Sequence, residues 1–231
     1  MFIGHYGPAL AAKGFAKTVP LWVLFVAAQW VDFLWATFVI VGIEKVRIIE
    51  NFFGLSPLDL YFMPYSHGLP SAILLSLFIG GVVAALLPGN RVVIIVAVAL
   101  TAFSHWLGDL IVHRPDLPLI FDEMKVGFGL WANPYVSVPV EIGLMFLGLW
   151  IYDRAAPSPT RAGTIALWAL GFFMAALQIQ NTFFAEHPAS ADGFARLSLF
   201  GYVLLALFAA GVDWARKEKT PGGEATGALN F

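Results

Sequence analysis

The residues able to do chemistry are few in this chain, and most of them sit where hydrocarbon would be expected. The densest group runs from Thr101 to Pro115 and contains His105, Asp109 and His113. Spaced at i, i+4 and i+8, these three fall on one stripe of a helix. At about 1.5 Å of rise per residue, His105 and Asp109 stand about 6 Å apart along the axis, close enough to share one metal ion. His105 and His113 stand about 12 Å apart, too far for one ion unless the helix unwinds near Arg114-Pro115. Two ions about 3.5–4 Å apart, bridged by Asp109 or Asp32, would use all three. The chain has no Cys, which excludes disulfides and thiolate zinc sites. A set of histidines and carboxylates suits zinc, manganese or iron.

Other candidates lie elsewhere. His5 is near the start, Asp32 is inside the first long apolar run, His67 stands just ahead of the second, and Glu141 is inside the fourth. A charged side chain at the centre of a membrane helix costs roughly 2.5–3.5 kcal/mol on insertion scales. Asp32, Asp109 and Glu141 therefore need partners or water. Asp32 reads as a ligand or a proton-relay carboxylate. Glu141 reads as a general base or as the partner of Arg114. A lone histidine in such a helix is more often a packing residue than a ligand; the combined stripe is what argues for metal. His187, in the loop 185–194, reads as a surface residue, and Trp30, Trp35, Trp106 and Trp131 read as packing or interfacial anchors.

The elements that must position these groups follow from composition. Of 231 residues, 59% are hydrophobic and 12% charged, against about 25% charged in soluble domains. Apolar runs at 20–43, 70–87, 91–113, 134–152, 162–184 and 195–215 are long enough to span about 30 Å of hydrocarbon. Residues 2–17 are too short and read as an interfacial or tucked-in half-helix. The fold expected is all-α: a polytopic membrane helical bundle of about six transmembrane helices plus that half-helix, one domain over 1–216, with a disordered tail over 217–231. Residues 44–69 and 116–133 read as long loops, the first lying on or dipping into the membrane surface. No basic segment precedes an apolar core in residues 1–19, so no cleavable signal peptide is expected.

Lys13, Lys17, Arg91, Arg154, Arg161, Arg216, Lys217 and Lys219 fall on one side of this topology; Lys45, Arg47, Arg114, Lys125 and Arg196 fall on the other. The positive-inside rule then puts both termini in the cytoplasm. His67, His105, Asp109 and Glu141 converge at the opposite end, and Asp32 lies near mid-depth. His5 is the misfit, on the terminal side unless the half-helix re-enters. A net charge of −2 and a pI near 6.2 exclude nucleic acid as an expected partner. The partners expected are the bilayer and an amphiphilic small molecule; self-association stays open.

The ordered set Gly4-His5, Gln29-Trp-Val-Asp32, Tyr65-Ser-His67-Gly68 and His105-x3-Asp109-x3-His113 resembles the bacterial membrane-bound metal-dependent hydrolases of the DUF457 type, also described as LexA-binding inner-membrane hydrolases. The likeness covers roughly residues 1–145, and the last two spans add nothing to it. The family's Pro-Asp-x-Asp element is reduced here to Asp32, and its His-Arg-Gly-x-x-His-Ser element to His67. The order of groups is also similar to that of zinc-dependent phospholipase C and P1-type nucleases. The resemblance implies an inner-membrane location, and it implies His5, Asp32, His67, His105, Asp109 and His113 as metal ligands, with Glu141 as a further candidate. The function expected is a membrane hydrolase that attacks a phosphoester or related ester with a metal-activated water, Asp32 or Glu141 acting as base or bridge. The alternative is a proton- or metal-ion-coupled transporter or channel using the same groups. Bis-histidine haem binding is a third reading that leaves the aspartates unexplained.

Overall fold

The computed structural model describes residues 1–217; most of the tail, from 218 on, lies outside the described residues. The chain forms an all-α bundle with one small hairpin. In order come α1 (Tyr6–Phe15), α2 (Leu21–Ala28), α3 (Trp30–Ile40), β1 (Lys45–Phe53), β2 (Ser56–Phe62), α4 (Leu69–Leu86), α5 (Arg91–Val112), α6 (Pro134–Ala155), α7 (Arg161–Phe183) and α8 (Ala191–Ala215). Helices α4 to α8 are each long and apolar enough to cross a membrane. Local chemistry sets where several of them start. Asn90 accepts from the amides of Val92 and Val93 (3.0 and 3.3 Å), Thr160 from Gly163 (3.0 Å) and Ser190 from Gly193 (3.1 Å). These caps satisfy amides that a helix start leaves open.

The first apolar run is not one straight helix. It breaks at Gln29, and α2 and α3 meet at 54°. Counting that bent pair as one span gives six. The half-helix α1 is not laid on the interface. It is packed within the bundle, where Ile3, Tyr6 and Leu10 are fully buried alongside Leu24 and Phe25 of α2. Its close neighbour is α6. Glycines make the approach: a Cβ on Gly148 would lie 2.0 Å from the carbonyl oxygen of Gly7. Small residues let helix backbones come this close in a membrane, where apolar burial alone gives no preference for protein over lipid.

The expected loop 44–69 is instead largely an antiparallel hairpin, β1 with β2, turning at Gly54-Leu55. Gly54 has φ +62°, and a Cβ there would lie 2.1 Å from the Trp131 carbonyl oxygen, so the hairpin tip rests on the short turn Leu130–Ala132. At its other end Asp59 pairs with Arg47 (2.8 Å) and with Arg114 (2.5 Å). The hairpin is thereby bound to the end of α5. The segment 116–133 runs back along the same end: the amides of Phe128 and Gly129 donate to the carbonyls of Leu110 and His113 (2.8 and 2.7 Å). Those two carbonyls belong to the frayed end of α5, and the loop satisfies them.

Candidate metal centre

His5, Asp32, His67, His105, Asp109 and His113 come together at one end of the bundle. All but Asp32 are almost wholly buried; the Asp32 side chain keeps 16% of its exposure. Asp109 is the hub. Its Oδ2 faces His105 Nε2 at 3.0 Å and His67 Nε2 at 3.5 Å; its Oδ1 faces His5 Nε2 at 3.1 Å and His113 Nε2 at 3.6 Å. Asp32 Oδ1 lies 3.4 Å from His67 Nε2 and 3.5 Å from His105 Nε2. The N-terminal amine of Met1 also pairs with Asp109.

Each element contributes for a local reason. Asp109 and His105 stand one turn apart on α5. His113 follows the end of α5 in an extended conformation (ψ 147°), because Arg114 precedes Pro115 and the helix cannot run on. That turn of the chain lets its ring reach the same Asp109. His5 ends a short 3-10 turn, Ile3–His5, ahead of α1. The tucked position of α1 resolves the conflict over its side: His5 lies against α5, its ring stacked 3.7 Å from that of His105. Asp32 is brought in by the bend between α2 and α3.

The outer nitrogens of three histidines fix which way each ring works. His105 Nδ1 is 2.8 Å from the Ala28 carbonyl, at the last residue of α2. A carbonyl can only accept, so Nδ1 carries the proton and Nε2 presents a lone pair when the ring is neutral. His67 Nδ1 meets Ser66 Oγ at 2.8 Å, and that hydroxyl donates to Glu44 Oε2 at 2.5 Å. The serine oxygen is thus left to accept from His67. Glu44 is further held by the amides of Tyr65 and Ser66, both at 2.8 Å. Burial pushes its carboxyl above the ordinary range, against those hydrogen bonds. His113 Nδ1 meets Asp116 Oδ1 at 2.9 Å, and Asp116 in turn pairs with Arg114 at 3.2 Å.

These residues could hold a metal ion. Two overlapping groups, His5–His105–Asp109 and Asp32–His67–His105, each offer ligand atoms within 4.8 Å of one another. The buried Nε2 atoms of His5 and His105 have no hydrogen-bond partner among the described residues. Orphaned buried nitrogens call for an explanation, and a cation supplies one. Protein groups behind metal-binding histidines characteristically take the outer N–H as Ala28, Ser66 and Asp116 do here.

Glu141 is placed differently from expectation. It is fully buried, but Oε2 accepts from the amides of Phe2 (2.7 Å) and Gly4 (3.4 Å) and Oε1 from Trp131 Nε1 (3.3 Å). It anchors the N-terminal segment and does not pair with Arg114, whose partners are Asp59 and Asp116. His187 is not a plain surface residue either: it lines the cavity that reaches the cluster, as do residues of both last helices. Tyr202 of α8 donates to Asp32 Oδ2 at 2.8 Å. Tyr202, Glu44, Ser66 and Asp116 were missed in the sequence. Their one available signal is the presence of polar groups beside or within apolar runs. Comparison with protein-family models, with curated proteins and with solved structures finds no match to this chain.

Proposed function

We propose that the chain is an integral-membrane, metal-dependent hydrolase acting on an amphiphilic phosphoester or related ester. One observation carries the reading: three histidines are each held at Nδ1 by a separate acceptor, so that their Nε2 atoms surround two aspartates at 3.0–3.6 Å. Asp32, His67 and His105 would hold one ion, and His5, Asp109 and the shared His105 would hold another, with His113 facing Asp109 from the end of α5. Zinc is the metal these nitrogen and oxygen donors suit best, with manganese and iron as close competitors. A bound divalent ion supplies a water acidified to a pKa near 7 and positive charge facing a developing phosphoryl oxygen.

The chain's own groups do the rest. Asp32, Asp109 and Glu141 all line the cavity; histidines take up Asp109 and backbone amides take up Glu141, which leaves Asp32 Oδ2 as the place where a proton leaving the attacking water would go. Tyr202 donates to that oxygen and fixes its orientation. Glu141, occupied by backbone amides, positions His5 and is not the base. The sequence likeness to membrane-bound hydrolases points the same way. Transport is disfavoured by the apolar packing between the first helices and α5: Ile3, Leu10, Leu24, Phe25 and Val98, each 0–1% exposed, belong to one buried core, whereas a path would need a continuous run of polar groups. The charge bias supports cytoplasmic termini, and the likeness to inner-membrane hydrolases supports an inner-membrane placement.

Protein purified in detergent without chelator should carry near-stoichiometric zinc, manganese or iron by elemental mass spectrometry. It should hydrolyse bis(p-nitrophenyl) phosphate, lose that activity to EDTA and regain it with added metal. A stable, metal-free protein removes the basis of the reading, and chelator-sensitive ion flux in liposomes would replace it with transport. Ser66→Ala leaves His67 Nδ1 without its acceptor and is expected to weaken metal binding about 10–100-fold, the usual effect of losing a group behind a ligand. Competition against a fluorescent chelator measures this, and unchanged affinity would exclude the Glu44–Ser66–His67 relay.

A further inference from the structure

A cavity of about 360 Å³ leads away from the cluster along the inner faces of α7 and α8. Asp32, His67, Asp109 and His113 lie at its polar end. On α8 the residues Phe194, Ser198, Gly201 and Leu205 line it at i, i+4, i+7 and i+11, one stripe of the helix. Across from them on α7 stand Phe173 and Leu177. From Phe194 to Leu205 the helix rises about 16 Å, roughly half of a hydrocarbon layer about 30 Å thick. The cavity is therefore a slot cut into membrane depth. It reaches the outside of the bundle through its own lining: Phe173, Leu197 and Phe200 are 42%, 52% and 64% exposed. Where Phe173 meets Phe208 edge to face, 5.3 Å between centroids, α7 and α8 touch.

We infer that this slot takes an acyl chain from the bilayer, so that the molecule presented to the cluster is a membrane lipid entering sideways between α7 and α8. The inference rests on the hydrolase reading for what then happens to the lipid's phosphoester. Two physical arguments select a lipid. An acyl chain passing from bilayer to slot exchanges one hydrocarbon setting for another, with no transfer penalty. A small water-soluble phosphoester can reach the cluster past the polar residues near the α7–α8 loop, but it leaves the Phe and Leu side chains of the slot unfilled, whereas an acyl chain covers them. The arrangement, apolar along its length with acid and histidine groups at one end, matches an amphiphile in polarity and in order. Asn181, Thr182 and His187 line the part nearest the α7–α8 loop and offer polar contacts to a headgroup.

Gly201 gives the test. It lines the slot, and a Cβ built on it meets no protein atom within 4 Å, so Gly201→Leu starts into open space and takes up slot volume. Gly211, on the same helix, is exposed and equally unobstructed; Gly211→Leu changes only the outer face. Protein in nanodiscs containing phosphatidylglycerol with a terminal diazirine on one acyl chain would be photolysed, digested and mapped by mass spectrometry. Wild type and Gly211→Leu are expected to be labelled at slot residues such as Leu177 and Leu205. Gly201→Leu should lose that labelling about tenfold, the equivalent of ~1.4 kcal/mol, while its metal content stays at the wild-type level. Label confined to outward-facing residues, or equal slot labelling in Gly201→Leu, overturns the inference. Slot labelling without any phosphodiester hydrolysis upholds the slot and rejects the hydrolase. Hydrolysis of bis(p-nitrophenyl) phosphate with no slot labelling upholds the hydrolase and rejects the lipid.

Discussion

Asp109→Asn is expected to empty the site. The two oxygens of Asp109 serve different histidines: Oδ1 faces His5 and His113, and Oδ2 faces His67 and His105, at 3.0–3.6 Å. Asparagine keeps the shape but offers one acceptor; its other end is an NH2 donor, which cannot bind a cation. Whichever way the amide turns, one set of histidines faces a donor. Losing a group that merely supports a ligand weakens metal binding about 10–100-fold, so loss of a shared ligand should exceed about 100-fold. Elemental analysis of the purified variant would read near zero for both ions, and chelator-sensitive hydrolysis would vanish with them. The buried residues around position 109 need no repacking, so the protein should still be extracted as a folded bundle. Near wild-type metal in Asp109→Asn would sink the assignment of Asp109 as the bridge.

Gly148→Ala is expected to be among the most damaging single-methyl changes, although position 148 is well removed in sequence from every cluster residue. The added Cβ would lie 2.0 Å from the Gly7 carbonyl oxygen and 2.8 Å from the Gly7 Cα. Both are backbone atoms, so no side chain can swing aside and α1 must move off α6. Overpacking costs about 1–3 kcal/mol where side chains can adjust; with backbone opposing backbone the upper end applies. At about 2–4 °C per kcal/mol for a chain of this size, the melting midpoint should fall about 5–10 °C. Gly143→Ala is the control, since a Cβ there meets nothing within 4 Å and should change stability by less than about 0.5 kcal/mol. The site should respond unequally. Displacing α1 withdraws His5 and leaves Asp32, His67 and His105 in place, so metal content should drop toward one ion. Equal melting of the two variants would show that the glycine contact is not tight in the membrane.

Much of this architecture was legible in the sequence because hydrocarbon is a severe filter. Apolar runs of sufficient length can only be helices there, which is why six segments could be delimited from composition. The hairpin was harder. Lys45, Val46, Arg47 and Ile48 alternate with period two, yet Glu50-Asn51 breaks the pattern, and Asn51 takes φ +52° within an irregular register. The bend at Gln29 left no mark, since neither proline nor glycine stands there. In the site, His105, Asp109 and His113 announced themselves by spacing on one helix. Asp32 and His67 could be sorted by topology. The placement of His5 depends on α1 packing inward through Gly7 and Gly148, which no local pattern encodes. Glu141 was legible as a buried carboxylate that needs partners; that these are the Phe2 and Gly4 amides on a distant segment, and not Arg114, has no local signal. Ser66, Asp116 and Tyr202 act only through tertiary neighbours, and polar residues of their kind are common beside membrane helices.

The chain divides its labour along its length. The six clustered residues are all in place by residue 113, whereas the slot's outer wall is made by α7 and α8. Those last two helices reach back to the first part through Gln178, which accepts from the Ile3 amide at 3.4 Å, and Tyr202, which holds Asp32. Seen across generations of sequence change, this is a separable arrangement. Residues such as Leu177, Leu197 and Gly201 can vary, reshaping what fits, while the reactive groups stay untouched. For the proposed hydrolase, this division would let the container be reshaped while the metal-facing residues stay as they are.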